Sequence, residues 1–200
     1  NGTCSKIPYQ EEVPKAMKCK DILPIREKNG AILVWFDVDG KEPHWEVPDL
    51  FEGEKDKYKY IARARHAVHT HIQEIHENGA DSAHLAVVHW RTLFRVPILW
   101  HQWGIKWEPK PDAKHMSNFT VNEQMKIGNW AVPGTTVNVE GHHIGAGLVH
   151  FKIHTIFGQL LVAFQLLPLE GFLQDSVYQI WAKKSVPTFL AKIAVQAWVN

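Results

Sequence analysis

The stretch TTVNVEGHHIGAGLVHFKIHTIFGQLLVAFQLL, residues 135–167, sets Val137, Val139, Val149, Phe151 and Ile153 against polar neighbours and is punctuated by Gly141, Gly145, Gly147 and Gly158. Successive side chains of a strand point to opposite faces, so this alternation reads as strands with one apolar face, joined by glycine-bearing turns. It predicts an antiparallel sheet of several long strands beyond Pro109. Downstream, SVYQIWAKKSVPTFLAKIAVQAWV, residues 176–199, returns to helical spacing and is interrupted at Pro187.

Upstream the texture differs. Residues 61–90 contain no proline, and Ala62, Ala64, Ala67, Val68, Ile72 and Ile75 lie at spacings compatible with a helical stripe up to Asn78-Gly79. Two helices, or one kinked helix, are expected there. Residues 41–58 are rich in proline and charge without periodicity, which marks a boundary. Before it, residues 29–39 read as a turn, an apolar strand and a second turn closing on Asp39-Gly40.

Two hundred residues, 45% of them hydrophobic, suffice for one ordinary domain or for one domain with part of another. Lys+Arg 22 against Asp+Glu 21 leaves no overall field to draw the chain to nucleic acid or an anionic membrane. Cys4 and Cys19 make no disulfide framework and stand in neither a Cys-x-x-Cys nor a Cys-x-His pattern; they read as ordinary thiols of a reducing compartment. The most apolar run, residues 156–173, is broken by Gln159, Gln165, Pro168 and Glu170, and so reads as core and not as a membrane span of ~20 clean residues.

Thirteen histidines is a high count, and His66, His69, His71, His76, His84 and His89 fall within one short segment. His66, His69 and His71 read as ordinary hydrogen-bonded histidines. His84 and His89 stand in an apolar setting, AHLAVVHW, where an imidazole must find partners or bear the cost of burial. A shared metal ion would satisfy both. Five residues at ~100° each leave two side chains ~140° apart on a straight helix, so a widened, π-like turn is needed to bring them onto one face. Asp81, three residues before His84, would then lie beside the pair and could orient one imidazole.

ENGADSAHL, residues 77–85, closely resembles the iron-binding segment of Rieske-type non-haem iron oxygenases, in particular the cholesterol 7-desaturases, the Neverland-type sterol enzymes. The resemblance covers nearly the whole chain. GTCSKIPYQEEVPKAMKCK (2–20) and ILVWFDVDGKEPHWEVPDL (32–50) resemble the end of the family's Rieske domain, and KHMSNFTVNEQMKIGN (114–129) with HIGAGLVHFKIHTIFGQLLVAFQLLPLEGFLQDSVYQIW (143–181) resemble the sheet of its catalytic domain. The fold it implies is α+β: a helix packed on a curved antiparallel sheet, of the helix-grip or START-like kind, preceded by the last strands of a β Rieske domain. Residues 1–50 would be the C-terminal remnant of that [2Fe-2S] domain and residues 51–200 the mononuclear iron, sterol-binding domain, with both ends of the parent missing.

Carried over residue by residue, the resemblance makes His84 and His89 ligands of Fe(II), Asp81 the acid that passes electrons from a neighbouring subunit's cluster, and Asn78 the asparagine placed near the metal. The family holds its cluster by Cys-x-His and Cys-x-x-His, and neither occurs here, so the [2Fe-2S] centre would belong to the full-length parent. The third, carboxylate ligand lies in the family on a later helix. Asp175 in QDSVYQIW is the one match, but PLEGFLQDSVYQIW fits better an earlier stretch that carries no ligand, so Asp175 is not expected to bind iron.

The activity implied is conversion of cholesterol to 7-dehydrocholesterol in steroid-hormone biosynthesis of the ecdysteroid or dafachronic-acid kind, with O2 and electrons from NAD(P)H through a reductase. The parent would be a trimer-like homo-oligomer, associated with the membrane of the endoplasmic reticulum through an N-terminal anchor, whereas this segment would be soluble and by itself inactive. Leu148, Phe151, Ile153, Phe157, Leu160, Val162 and Phe164 are candidates for the sterol wall, or plain core. Trp90, Trp100, Trp103 and Trp107 suggest an aromatic wall of undetermined use. Two other readings stand beside this one: a START-like module that binds sterol without metal, and a zinc hydrolase using His84, His89 and Glu77, which lacks the His-Glu-x-x-His spacing.

Overall fold

The structure, a computed structural model, describes residues 3–17, 22–88 and 99–199. It divides into two compact units, Asn1–Asp49 and Leu50–Asn200. In the first, β1 (Ile25–Lys28) and β2 (Ala31–Val34) form an antiparallel hairpin. Asn29 and Gly30 both take positive φ, 53° and 76°, the backbone twist that a two-residue hairpin turn demands. Asp37 closes the second turn by accepting from the backbone N–H groups of Asp39 and Lys41 at 2.9 and 3.2 Å.

The second unit is built on one antiparallel sheet. Its strands are β3 (Tyr58–Val68), β4 (Leu99–Pro109), β5 (Met116–Ile127), β6 (Trp130–Ala131), β7 (Val137–Ile144), β8 (Leu148–Thr155), β9 (Gly158–Glu170) and β10 (Leu173–Lys183). They run in the order β3-β10-β9-β8-β7-β5-β4, with β6 paired to β5. The alternation in residues 135–167 thus becomes β7, β8 and β9. Among the described residues three α-helices accompany it: α1 (Ile72–Ala80), α2 (Ser82–Val88) and α3 (Thr188–Val199). Ile72, Ile75 and Leu85 of the first two pack on a core of Phe119, Val121, Val149, Phe164 and Leu166. Ala191, Ala194 and Val195 of α3 pack on Ile153, Leu160, Val162 and Ile180. Among the described residues no helix is long and apolar enough to cross a membrane.

The centre of the sheet is covered on both sides. Leu160, Val162 and Phe164 of β9 face the helices, while Leu161 and Ala163 between them pack with Leu50, Phe51 and Trp181. A strand buried on both faces reads as a continuous apolar run, which is why LLVAF shows no alternation.

Two helical expectations are corrected. Residues 58–68 form β3, paired along its length with β10, and residues 173–183 form β10, held between β3 and β9. Alanine favours helix by less than ~1 kcal/mol per residue, and the continuous ladder of hydrogen bonds between β3 and β10 overrides that preference. Helix appears in those regions only from Ile72 and from Thr188, immediately after Pro187, where proline suits a helix start. The helical break falls at Asp81, with extended backbone of φ −79° and ψ 96°, whereas α1 runs unbroken through Asn78-Gly79.

Candidate functional site

Asp81 separates α1 from α2 and serves both histidine and helix. Its Oδ1 accepts from the backbone N–H groups of Ala83 at 2.9 Å and His84 at 3.4 Å, capping the first turn of α2. Its backbone carbonyl accepts from Nδ1 of His84 at 2.5 Å. A carbonyl only accepts, so Nδ1 carries a proton, as it does in an imidazole that ligates a metal through Nε2. For His84 the orienting group is thus the Asp81 carbonyl, while the carboxylate is engaged by the helix N–H groups. His89 and Trp90 lie outside the described residues, as does any test of the widened turn.

His84 and Asn78 border a cavity of about 790 Å3 between the helices and the sheet, within the ~300–1,000 Å3 usual for small-molecule sites. Its sheet wall includes Phe151, Ile153, Leu160, Val162 and Phe164, and Phe157 lies at a turn; Leu148, the remaining candidate, is not among the lining residues. Trp103 lines it too. Trp100 instead donates from Nε1 to the carbonyl of Gly128 at 2.9 Å, and Trp107 from Nε1 to Oγ of Ser117 at 3.2 Å.

Asp175 stands apart from this cavity. It lies on β10 at odd parity from Ile180, a lining residue, with no irregularity of pairing between Gln174 and Ile180, so it points to the other face. Arg65 donates from Nε to its two oxygens at 2.7 and 2.8 Å, and Arg65 Nη2 lies 2.7 Å from Oδ2. These bonds hold the Asp175 carboxyl below the usual aspartate range. Among the described residues no three His, Cys, Asp or Glu side chains gather as a metal site.

Three polar residues of the cavity were not legible as such. His143 of β7 faces in, its Nδ1 3.1 Å from Oγ of Ser117, which already accepts from Trp107. Hydroxyl and Nδ1 share one hydrogen bond, whose direction follows the tautomer of the ring. Burial first, and then the neighbouring His76, hold His143 down at about 4, so it is neutral at pH 7. His101 of β4 donates from Nδ1 to Oε1 of Glu123 on β5, inside the same cavity. The signal for all three was parity: each is a polar residue at a position where the strand's alternation asks for an apolar one.

The chain is 34% identical to a cholesterol 7-desaturase of Xenopus laevis over 98% of this chain and 46% of that protein. It spans about half the length of the curated relatives it matches. Among solved structures it superposes on the quaternary ammonium Rieske monooxygenase CntA bound to an inhibitor, with a TM-score of 0.62 and 13% identity, over 100% of this chain and 54% of that one. A second structure, of a quaternary ammonium Rieske monooxygenase described for carnitine oxidation by gut microbiota and inter-subunit electron transfer, gives 0.58 at 13% identity over 96% and 51%. The sheet with its few helices is thus the catalytic-domain fold of the Rieske oxygenases. Residues 34–184 match the 3-Ketosteroid 9alpha-hydroxylase C-terminal domain, and the chain belongs to that family.

Proposed function

We propose that this chain is the substrate-binding and iron-binding part of a Rieske oxygenase that desaturates cholesterol at C7. The observation that carries the reading is His84: its Nδ1 is fixed by the carbonyl of Asp81 and its ring borders a large, mostly apolar cavity. The tautomer fits a metal-bound imidazole, and His84 with His89 would hold a mononuclear iron, which when bound supplies activation of O2. The protein's own part is to orient the His84 ring, to exclude water by the apolar wall, and to seat a rigid hydrocarbon ligand. Asp81 lies at the exposed junction of two helices, a position suited to receiving electrons from another subunit.

The sequence of 200 residues holds no Cys-x-His or Cys-x-x-His pair, so in this reading the [2Fe-2S] cluster is supplied from outside these residues, electrons arrive from NAD(P)H through a reductase, and the residues alone do not turn over sterol. Residues 1–50 as the close of a Rieske domain, a trimer-like assembly, attachment to the endoplasmic reticulum membrane, and a product destined for steroid-hormone synthesis belong to the same proposal. The test measures iron content and conversion of cholesterol to 7-dehydrocholesterol with an added reductase, for this chain and for one extended to the length of its relatives. Conversion is expected from the extended protein alone. Conversion by the short chain refutes the division of labour, and sterol bound without iron by the extended protein favours a START-like binding module, the reading that the apolar cavity alone supports.

A further inference from the structure

The sheet wall of the cavity carries a polar pair of its own, on β4 and β5 and not on the helix that bears His84. Residues 101, 103 and 105 of β4 and 119, 121, 123 and 125 of β5 all face the cavity, as alternate residues of two paired strands must. His101 pairs across to Met125 and Trp103 to Glu123, so His101 and Glu123 are diagonal neighbours on one face. The His101 Nδ1–H is bonded to Glu123, both side chains are about 15% exposed or less, and the His101 ring stacks on Trp103 with centroids 5.6 Å apart. A carboxylate and an imidazole set among Val121, Met125 and Trp103 cost desolvation that an apolar pair would avoid, and they are held in one geometry.

Resting on the sterol reading above, we infer that His101 and Glu123 recognise the ligand's hydroxyl. The carboxylate of Glu123 accepts from the 3-hydroxyl, and His101 holds that carboxylate in place, a positioning residue acting through it. The position suits this end of a sterol. Leu85, next to His84, packs on the cluster that includes Trp103, Ile105 and Val121, and Glu123 is two residues beyond Val121, about 7 Å along the strand. In cholesterol the hydroxyl-bearing ring and the ring containing C7 adjoin in one rigid skeleton, so a hydroxyl held at Glu123 presents the adjoining ring beneath α2. Val162, Leu190, Ala191 and Ala194 line an apolar part of the cavity, which takes the alkyl tail.

The test titrates the purified protein, by competition with a fluorescent sterol, with cholesterol, its 3-O-methyl ether and cholest-5-ene, which lacks the hydroxyl. The ether keeps the oxygen but cannot donate. A hydrogen bond to a charged acceptor predicts that wild-type protein binds cholesterol about tenfold or more tightly than either analogue. Glu123→Gln should narrow the ratio, Glu123→Ala should bring the three ligands level, and His101→Phe should narrow it without weakening cholest-5-ene. Unchanged affinity for cholest-5-ene in the variants reports an intact cavity. Equal affinities in the wild type, or a preference that survives Glu123→Ala, overturns the inference while leaving the sterol reading intact. Absence of binding to all three sterols refutes that reading and the inference with it.

Discussion

Gly79 of α1 lies against the imidazole of His143: a methyl group on its Cα would fall 2.6 Å from both Cε1 and Nε2 of the ring. That ring is held by Ser117, by an edge contact with His76 at 5.0 Å between centroids, and by Phe119 at 4.9 Å, so it has little room to yield. Alanine would gain up to ~1 kcal/mol of helix propensity, but overpacking of this kind costs ~1–3 kcal/mol. Gly79→Ala is therefore expected to destabilise the protein by up to ~2 kcal/mol in urea unfolding, and Gly79→Ala combined with His143→Ala to lose less than the sum of the two single losses. Additive effects of the two substitutions would show that the contact does not seat α1.

His143 also sets a pH dependence. Its native value of about 4 lies below the ~6.5 of an unfolded histidine, so between these limits the unfolded chain takes up a proton that the native protein refuses. Stability is then full above pH 6.5, falls by up to about 3 kcal/mol as pH drops toward 4, and gains no further loss from this group below that. His142, lowered by burial and by Lys152, acts in the same direction. Unfolding measured at pH 7.5 and pH 5 should show a smaller difference for His143→Asn than for the wild type. An equal difference would exclude His143 as its source.

The sheet was legible from residues 135–167 because those strands bury one face and alternate. β10 was not, because burial on both faces removes the period by which a strand is told from a buried helix. β3 carried a period of two in Arg63 and Arg65, but the alanines around them fit a helical stripe equally, and only pairing with β10 decides. The histidine stretch stood out through chemistry, since apolar neighbours make an imidazole conspicuous, and His84 borders the cavity. The use of the Asp81 carbonyl in place of its carboxylate was beyond sequence, because it depends on where α2 begins. His101, Glu123 and His143 show the same limit: parity could place them on a face, but which face encloses the cavity is fixed only by the helices that cover it.

Asp175 is bound to Arg65 on the face away from the cavity, and that arrangement gives a clean separation of roles. Its depressed carboxyl, charged by the Arg65 hydrogen bonds, contributes stability above the unfolded value near 3.8 that is lost as pH falls through the native value. Asp175→Asn should lower the thermal midpoint at pH 7 and leave iron content and sterol affinity unchanged. Loss of iron with an unchanged midpoint would make Asp175 the third ligand and overturn the placement of this strand.

The two histidines and Asp81 are separated by what each substitution removes. His84→Ala deletes an imidazole whose tautomer is fixed for ligation, and His89→Ala deletes the second proposed ligand, so in a protein extended to the length of the relatives each should abolish iron retention and turnover. Asp81→Asn is different. Asparagine caps a helix as well as aspartate, and the backbone carbonyl that holds Nδ1 of His84 is untouched, so α2 and the ligand geometry should persist and iron should stay bound. What is lost is the negative charge at the exposed junction, and with it, on the relay assignment, turnover by at least the 10–100-fold typical of residues that support a metal site indirectly. Metal analysis of the three purified variants beside single-turnover rates gives the decision. Equal iron loss in all three would make the Asp81 carboxylate a ligand, and full activity in either histidine variant would reject the site.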